Sequence, residues 1–329
     1  MKVLLVRNDG IGDALACAPL VAALHAAGHT LGAVLGPGNA RIFARDVFAH
    51  VHVLERIPWP AHGSTPATRR AALADARAVG YDVALIASEE IDAYTFARDA
   101  GIGRRVGFIN GWEKPFKSLR VRRLLTRALV REAPAWRARD HEAAVLFALG
   151  AGLHAERRPT RDIMRLRRVI LDGPGECNGY VVLQASHKHA RCGLDEATYA
   201  ALARTLAHVG HAVLLLGDDP ALVESVSHAA GVAAASNLDA AAWKSRIAGA
   251  RAIVTPDSGA AHVAGFTGVP CVDCFVPHSV TVRDIERWRP WAAPYRAHVL
   301  DPTRAPDALA HRLAADVCAL LPQACPAVA

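Results

Sequence analysis

The stretch from Ile253 to Pro270 reads I-V-T-P-D-S-G-A-A-H-V-A-G-F-T-G-V-P and concentrates residue types that can hold an anion. The apolar run Ala252 to Val254 stops at Pro256, turns through Asp257, Ser258 and Gly259, and resumes with small residues at helical spacing to Gly265 and Gly268. That is the pattern of a strand, a tight turn and a helix start. The first N–H groups of such a helix lack intrahelical partners and its dipole is positive there, so a phosphate or other anion can bind. Ser258 adds a hydroxyl, and Gly259 lets an anion approach the backbone. His262 lies one turn further along the same helical face, within reach of a diphosphate. A structural reading stands beside this one: Asp257 or Ser258 caps the helix and His262 packs.

A second constellation opens the chain. Lys2 to Val6 is an apolar run ended by R-N-D-G-I-G-D, from Arg7 to Asp13, after which the pattern to Ala27 is helical and Gly28 closes it. Gly10 and Gly12 permit close approach of a ligand to the backbone. The spacing is not the G-x-G-x-x-G of dinucleotide sites. Asp13 is either a helix cap or a carboxylate facing the crevice at the end of a parallel strand, where ligands bind in open α/β sheets.

Two further polar stretches stand out. Tyr81 to Ala87 reads as a buried strand followed by the polar loop Ser88, Glu89, Glu90 and Asp92, expected to be solvated, with contact to a sugar as the alternative. From Glu113 to Glu132, Lys114, Lys117, Arg120, Arg122, Arg123, Arg127 and Arg131 alternate with Phe116, Leu119, Leu124, Leu125 and Leu129. This predicts a basic amphipathic helix that buries its leucine face and offers its cations to an acidic glycolipid or an anionic membrane leaflet.

The elements that must carry these residues alternate. His29 to Leu35 reads as a second strand, and the charged run Arg157 to Arg168 as the approach to a domain link. After it come strands at Tyr180–Gln184, Ala212–Leu216 and Val269–Val276. Helices are expected at Leu194–His208, Pro220–Ala229, Ala241–Ala248 and Pro306–Leu321. Short apolar runs alternating with helices in both halves predict an α/β protein of two Rossmann-like domains.

The totals agree. At 329 residues the chain exceeds what one core usually supports, and 52% hydrophobic against 21% charged residues marks a globular protein. No apolar run is long and uninterrupted enough to span a bilayer. The start, with four apolar residues before Arg7, reads as a strand and not a secretory signal, so a cytoplasmic location is expected. Seven cysteines without framework spacing fit a reducing compartment, and the net charge of +7 favours anionic partners. Cys271 and Cys274 form a C-x-x-C without a second pair, and in a strand that spacing turns the thiols to opposite faces, so buried thiols are expected. Sixteen histidines form no H-E-x-x-H, and no G-x-S-x-G elbow is present. Trp288 and Trp291 are expected to cover a core edge, with stacking on a base as the alternative.

The N-terminal V-L-L-V-R-x-D-G-I-G-D, together with P-D-S-G-A-A-H-V-A-G-F-T-G-V-P in the second half, resembles glycosyltransferase family 9, the lipopolysaccharide heptosyltransferases. The resemblance implies a GT-B architecture, two Rossmann-like domains facing each other across a cleft: an acceptor-binding domain over residues 1–165 and a nucleotide-sugar-binding domain over 166–329. It implies inverting transfer of a heptose or similar sugar from a nucleotide-diphosphate donor, ADP-heptose, to a lipopolysaccharide core or related glycan. No resident cofactor or metal is implied.

By the same resemblance Asp13 is the general base. Asp257, Ser258, Gly259 and His262 line the diphosphate and sugar site, with Ser186 and His187 at its hydroxyl region. The family places a lysine after the first strand of the second domain. Here A-S-H-K-H-A-R-C-G-L offers Arg191 nearest that position and Lys188 as the alternative. Asn237, Leu238 and Gly217, next to Asp218, fall at the expected nucleotide contacts. Arg7, Gly12, Lys114, Lys117, Arg120, Arg122 and Arg123 are the expected acceptor contacts. The implied partners are a nucleotide sugar and an acidic glycolipid or glycan, with peripheral contact at the inner membrane face and no nucleic acid. Two other functions stay open: a GT-B relative acting on free nucleotide sugar as hydrolase or epimerase, and a non-catalytic anion- or lipid-binding module.

Overall fold

Val3 to Val6 and Val83 to Ile86 contain no polar residue, and both runs are buried on both faces, as parallel strands covered by helices must be. The structure, a computed structural model, describes residues 1–57, 63–131, 140–173, 175, 178–186, 188–276, 281–301 and 303–321. The chain divides into two compact units: Met1–Asp172 with Glu286–Trp288, and Gly173–Ile285 with Arg289–Ala329. Among the described residues each unit holds one six-stranded sheet.

The first unit contains β1 (Lys2–Arg7), β2 (Thr30–Leu35), β3 (His50–Val53), β4 (Val83–Ile86), β5 (Arg104–Ile109) and β6 (Arg127–Val130). They pair in parallel in the order β3-β2-β1-β4-β5-β6. Its helices are α1 (Ile11–Leu15), α2 (Ala18–Ala26), α3 (Pro66–Val79), α4 (Ile91–Asp99), α5 (Pro115–Arg122), α6 (Glu142–Phe147) and α7 (Ile163–Ile170). The chain runs outward from β1 to β3 and then returns to lay β4 on the other side of β1. That reversal opens a crevice between the C-terminal ends of β1 and β4, the topological switch point where open α/β sheets bind ligands.

The second unit repeats the plan. Its strands are β7 (Val181–Ala185), β8 (Val213–Gly217), β9 (Ala233–Ser236), β10 (Ala252–Pro256), β11 (Cys271–Phe275) and β12 (Tyr295–Val299), in the order β12-β11-β10-β7-β8-β9. The helices are α8 (Glu196–His208), α9 (Pro220–Ala230), α10 (Ala240–Ala248), α11 (Gly259–Thr267), α12 (Val282–Trp288), whose last three residues belong with the first unit, and α13 (Pro306–Leu320). Its switch point lies between β7 and β10.

Three sequence expectations change. The single helix expected from Asp13 to Ala27 is two, because Pro19 in the first turn of α2 has no N–H to continue the ladder of α1. The division between units follows Asp172 instead of residue 165. Helix α7 stays with the first unit, with Leu166, Val169 and Ile170 buried and the Val169 carbonyl accepting from Ala44 N at 2.8 Å. The basic stretch expected as one amphipathic helix is a 3₁₀ turn at Gly111–Glu113, the eight-residue α5 and then strand β6. Pairing with β5 decides this: Arg105 N donates to Thr126 Oγ1 at 2.8 Å, and Arg131 N to Ile109 O at 2.9 Å. Its leucines divide as well, with Leu124 buried and Leu119 exposed.

The small residues of α11 have a packing reason. A Cβ at Gly265 would stand 2.6 Å from Trp291 N and 2.7 Å from Pro290 Cα, both backbone, while Gly265 O accepts from Ala292 N at 3.0 Å. Trp291 is buried beside it, as its expected place on a core edge requires. Gly265→Ala is therefore expected to cost roughly 1–3 kcal/mol by overpacking, and a thermal melt at wild-type stability would contradict this close approach.

Candidate functional site

At the first switch point β1 ends in Arg7 and β4 runs into Ser88 and Glu89. Arg7 is 3% exposed, so its charge has to be met by protein groups. Its Nη2 donates to Asp13 Oδ1 at 2.7 Å, its Nε lies 3.3 Å from Asp9 Oδ2, and its Nη1 donates to the Ala87 carbonyl. Burial works against this charge, but Asp13 and Asp9 outweigh it and raise the Arg7 pKa. Burial also pushes the Asp9 carboxyl above the usual carboxylate range, with Arg7 opposing. Asp9 is tied further by Ser88 Oγ, which donates to Oδ1 at 2.9 Å, and by Asn39 Nδ2, which donates to its carbonyl at 2.9 Å.

Asp13 sits in the first turn of α1, where its Oδ2 accepts from Gly10 N at 3.2 Å. Its side chain keeps 35% exposure. The arrangement fixes one carboxylate oxygen on a buried arginine and leaves the group reachable by a substrate hydroxyl, which is the geometry a general base needs. Asp13 is not the N-cap expected as the alternative: Gly10 holds that position, and Asp13, the third residue of α1, reaches back to its N–H as the carboxylate half of a capping box.

Behind this site lies a charge cluster that sequence reasoning did not single out. Glu142, at the start of α6, is fully buried and accepts from Arg131 Nη2 at 2.5 and 2.6 Å and from Arg287 Nε at 2.9 Å. Burial would raise its pKa, yet Arg131 and Arg287 hold it below the ordinary glutamate value. Arg131 also pairs with Glu89 at 2.8 Å, so the carboxylate expected to be solvated is engaged, and Lys117 stands 3.6 Å from its other oxygen. Opposing burial, Arg131, Lys117 and Lys114 lower the Glu89 pKa. Glu90 pairs with Arg56 at 2.7 Å, and Asp92 lies inside α4 at 3.0 Å from Arg69, so the expected solvated loop is an ion-paired rim.

The second switch point gathers the other set. Ser258 is the N-cap of α11: its Oγ accepts from Ala260 N at 3.3 Å and lies 3.1 Å from Thr255 Oγ1. Lys188 reaches this turn from the loop after β7. Its Nζ donates to Asp257 O at 2.9 Å and lies 3.9 Å from Asp257 Oδ2. Ser186 closes β7, and its Oγ accepts from Lys188 N at 3.4 Å. His262 is buried one turn into α11. The arrangement puts a helix N-terminus, a hydroxyl and a lysine together, an anion site by the ordinary rules.

Of the remaining expected donor contacts, Arg191 is exposed in a 3₁₀ turn, and Asn237 takes a left-handed φ of 53° in the exposed loop before α10. Leu238 is half-buried beside it. Gly217 ends β8, where a Cβ would sit 2.9 Å from Ala185 O, so its smallness serves sheet packing. His187 lies outside the described residues.

Among the expected acceptor contacts, Arg7 and Gly12 belong to the first switch point and Lys117 approaches it through Glu89. Lys114, Arg120, Arg122 and Arg123 are exposed around α5. Cys271 and Cys274 are both buried in β11, and burial pushes their thiols far up.

Asp273, in β11, is a polar residue that only the tertiary structure reveals as special. It is fully buried in register with Thr255 of β10, and among the described residues neither of its oxygens has a hydrogen-bond partner. Burial first, and Asp257 second, push its pKa well above the ordinary carboxylate value.

The pattern of glycosyltransferase family 9 (heptosyltransferase) matches residues 70–311, most of the chain. The chain belongs to this family. Among solved structures, the Escherichia coli heptosyltransferase WaaC with ADP is 18% identical with a TM-score of 0.74, covering 96% of this chain and 100% of its own. The E. coli ADP-heptose lps heptosyltransferase II is 16% identical with a TM-score of 0.68, covering 97% and 99%. A family 9 glycosyl transferase from Veillonella parvula is 11% identical with a TM-score of 0.71, covering 97% of each chain. A sequence comparison with curated proteins gives no match. At these identities the structural likeness speaks to fold: two Rossmann-like α/β domains of GT-B type.

Proposed function

We propose that this family 9 glycosyltransferase moves a heptose, or a closely similar sugar, from a nucleotide-diphosphate donor to a hydroxyl of a lipopolysaccharide core or related glycan, with inversion. One observation carries the reading: each sheet presents its chemically equipped residues at its own switch point, a carboxylate in one and an anion turn in the other. Asp13 takes the acceptor hydroxyl proton as that oxygen attacks the anomeric carbon. The bond from that carbon to the diphosphate oxygen breaks, and the nucleoside diphosphate leaves. The N-terminus of α11, Ser258 and Lys188 stabilise the departing charge. An adenine nucleotide is the proposed donor because the similar WaaC structure carries ADP. The step is proposed to need no resident metal. The acceptor's lipid end makes the proposed workplace the cytoplasmic face of the inner membrane. No helix among the described residues is long and apolar enough to cross one.

A panel of ADP, UDP and GDP scored by thermal shift, followed by transfer with the matching donor, tests this. Saturating ADP at 100 times its Kd is expected to add about 2.7 kcal/mol, a rise of several degrees. Lys188→Ala is expected to remove most of that shift and Arg191→Ala little of it, because Lys188 already touches the turn. EDTA is expected to leave transfer unchanged. Sugar release from the donor without acceptor, at the rate of transfer, would favour a hydrolase instead.

A further inference from the structure

Helix α5 is amphipathic in an unusual way: it keeps one face for the core and carries a second apolar face outward. Ser118, Val121 and Leu124 face inward and are buried. On the opposite side Phe116 is 88% and Leu119 56% exposed, and Trp112, in the turn just before, is 95% exposed. The helical period places Arg120 and Arg123 on that same outer face, one turn beyond Phe116 and Leu119. The patch continues onto the sheet edge, where Val130 of β6 is 68% exposed and its Cγ1 lies 3.7 Å from where a Gly111 Cβ would be.

A solvated surface needs no such aromatics, and a protein-binding hot spot does not need so many cations. Among the described residues Arg120, Arg122 and Arg123 make no ion pair, so their charge is uncommitted, unlike that of Lys117 or Arg131. Glu113 is the only acid from Gly111 to Arg131. Exposed Trp and Phe ringed by uncommitted arginines match the interfacial zone of an anionic bilayer. There the rings enter the headgroup–acyl boundary and the guanidiniums meet lipid phosphates.

We propose that the Trp112–Phe116–Leu119 face, with Arg120 and Arg123, docks the protein on the surface of an anionic phospholipid bilayer. The seat is peripheral and reversible, since it is one turn, two helical turns and a strand edge. It draws its strength from both parts, so salt weakens it without abolishing it. The inference deepens the membrane workplace named above but stands on this surface alone, whatever sugar is transferred.

The test is co-sedimentation of the full chain, without any donor or acceptor, with phosphatidylcholine vesicles containing or lacking phosphatidylglycerol. Binding is expected only to the anionic vesicles. Trp112→Ala with Phe116→Ala, and separately Arg120→Glu with Arg123→Glu, are each expected to weaken it at least about tenfold. The pair Arg157→Glu with Arg158→Glu makes the same charge change on exposed residues elsewhere and is expected to bind as wild type. Circular dichroism checks that every variant is folded. Equal loss in the Arg157 and Arg158 control, or no loss on removing the aromatics, would reduce the effect to bulk charge and overturn the proposal. So would equal binding to zwitterionic vesicles, or a dimer in light scattering that the aromatic substitutions dissociate, which would give the patch to a second copy. Because no transfer is measured, failure here leaves the transferase reading untouched, and the reverse holds too.

Discussion

Replacing Asp13 by asparagine is expected to lower sugar transfer by about 10²–10⁴-fold while ADP binding stays within roughly twofold and the protein remains folded. The expectation rests on separating the helix contact that Asp13 makes from the base role proposed for it. As the third residue of α1, Asp13 accepts from Gly10 N at 3.2 Å, one hydrogen bond worth about 0.5–1.5 kcal/mol. For the proposed base role, it holds a carboxylate at the switch point with one oxygen on Arg7 at 2.7 Å. Asparagine keeps the size and one acceptor oxygen, so the helix contact survives in part, while the capacity to take a proton is gone. Arg7 retains Asp9 and the Ala87 carbonyl, which limits the damage to the buried guanidinium. Transfer rate, ADP thermal shift and circular dichroism on the same preparation separate the outcomes. Should activity fall only in proportion to the folded fraction, Asp13 serves the helix alone and the base lies elsewhere.

The largest expected loss of stability belongs to Glu142. Its carboxylate is fully buried and answers two arginines, so Glu142→Ala strands Arg131 and Arg287 with a shared deficit; breaking such a pair typically costs about 3–5 kcal/mol. For a unit of this size that is on the order of 10 °C in Tm. The pH dependence carries the signature. Because Arg131 and Arg287 hold the folded-state pKa of Glu142 below its unfolded value, ordinarily about 4.3, its contribution is complete above that value and is lost as pH falls through the folded pKa. Glu89 shares the sign. Asp9 and Asp273 have the opposite one: their folded pKa values are raised by burial, so stability from them falls as pH rises through the window above the ordinary Asp value. Urea denaturation of wild type and Glu142→Gln from pH 7 to 3 isolates the glutamate. The difference between the two is expected to shrink as pH falls toward 3, and a difference that does not change with pH would mean that the ionisation of Glu142 does not supply it.

How much of this was legible differs by layer. The strands read directly from sequence became β1, β2, β4, β7, β8, β10 and β11, all interior to their sheets. The edge strands β3, β6, β9 and β12 read H-V-H-V, R-A-L-V, A-A-A-S and Y-R-A-H-V, and none carried a usable pattern. An interior parallel strand is covered on both faces and tends to be a continuous apolar run, although interior β5, R-R-V-G-F-I, opens on two arginines and was not read; an edge strand is half solvated and is made by its neighbour's hydrogen bonds. Segment 127–130 shows the consequence, since the helical spacing that includes Arg127 and Leu129 yielded to pairing with β5.

The two turns that frame the candidate chemistry were readable from local order alone: an apolar run, then Asp, Ser or Gly, then helical spacing, because capping and backbone freedom are decided within a few residues. The partners of the charges were not. Glu142 meets Arg287 across 145 residues and Lys188 meets Asp257 across 69, so no spacing rule reaches them. Whether Arg131 is a surface cation or a buried one, whether Glu89 is solvated or paired, and whether Asp273 is ionised or neutral depend on which groups the fold brings within a few ångströms and how much water it removes. Composition and periodicity carry the class of fold and the kind of turn; burial and long-range pairing, which the chain acquires only on folding, shift the titration of buried groups such as Glu142, Glu89, Asp9 and Asp273.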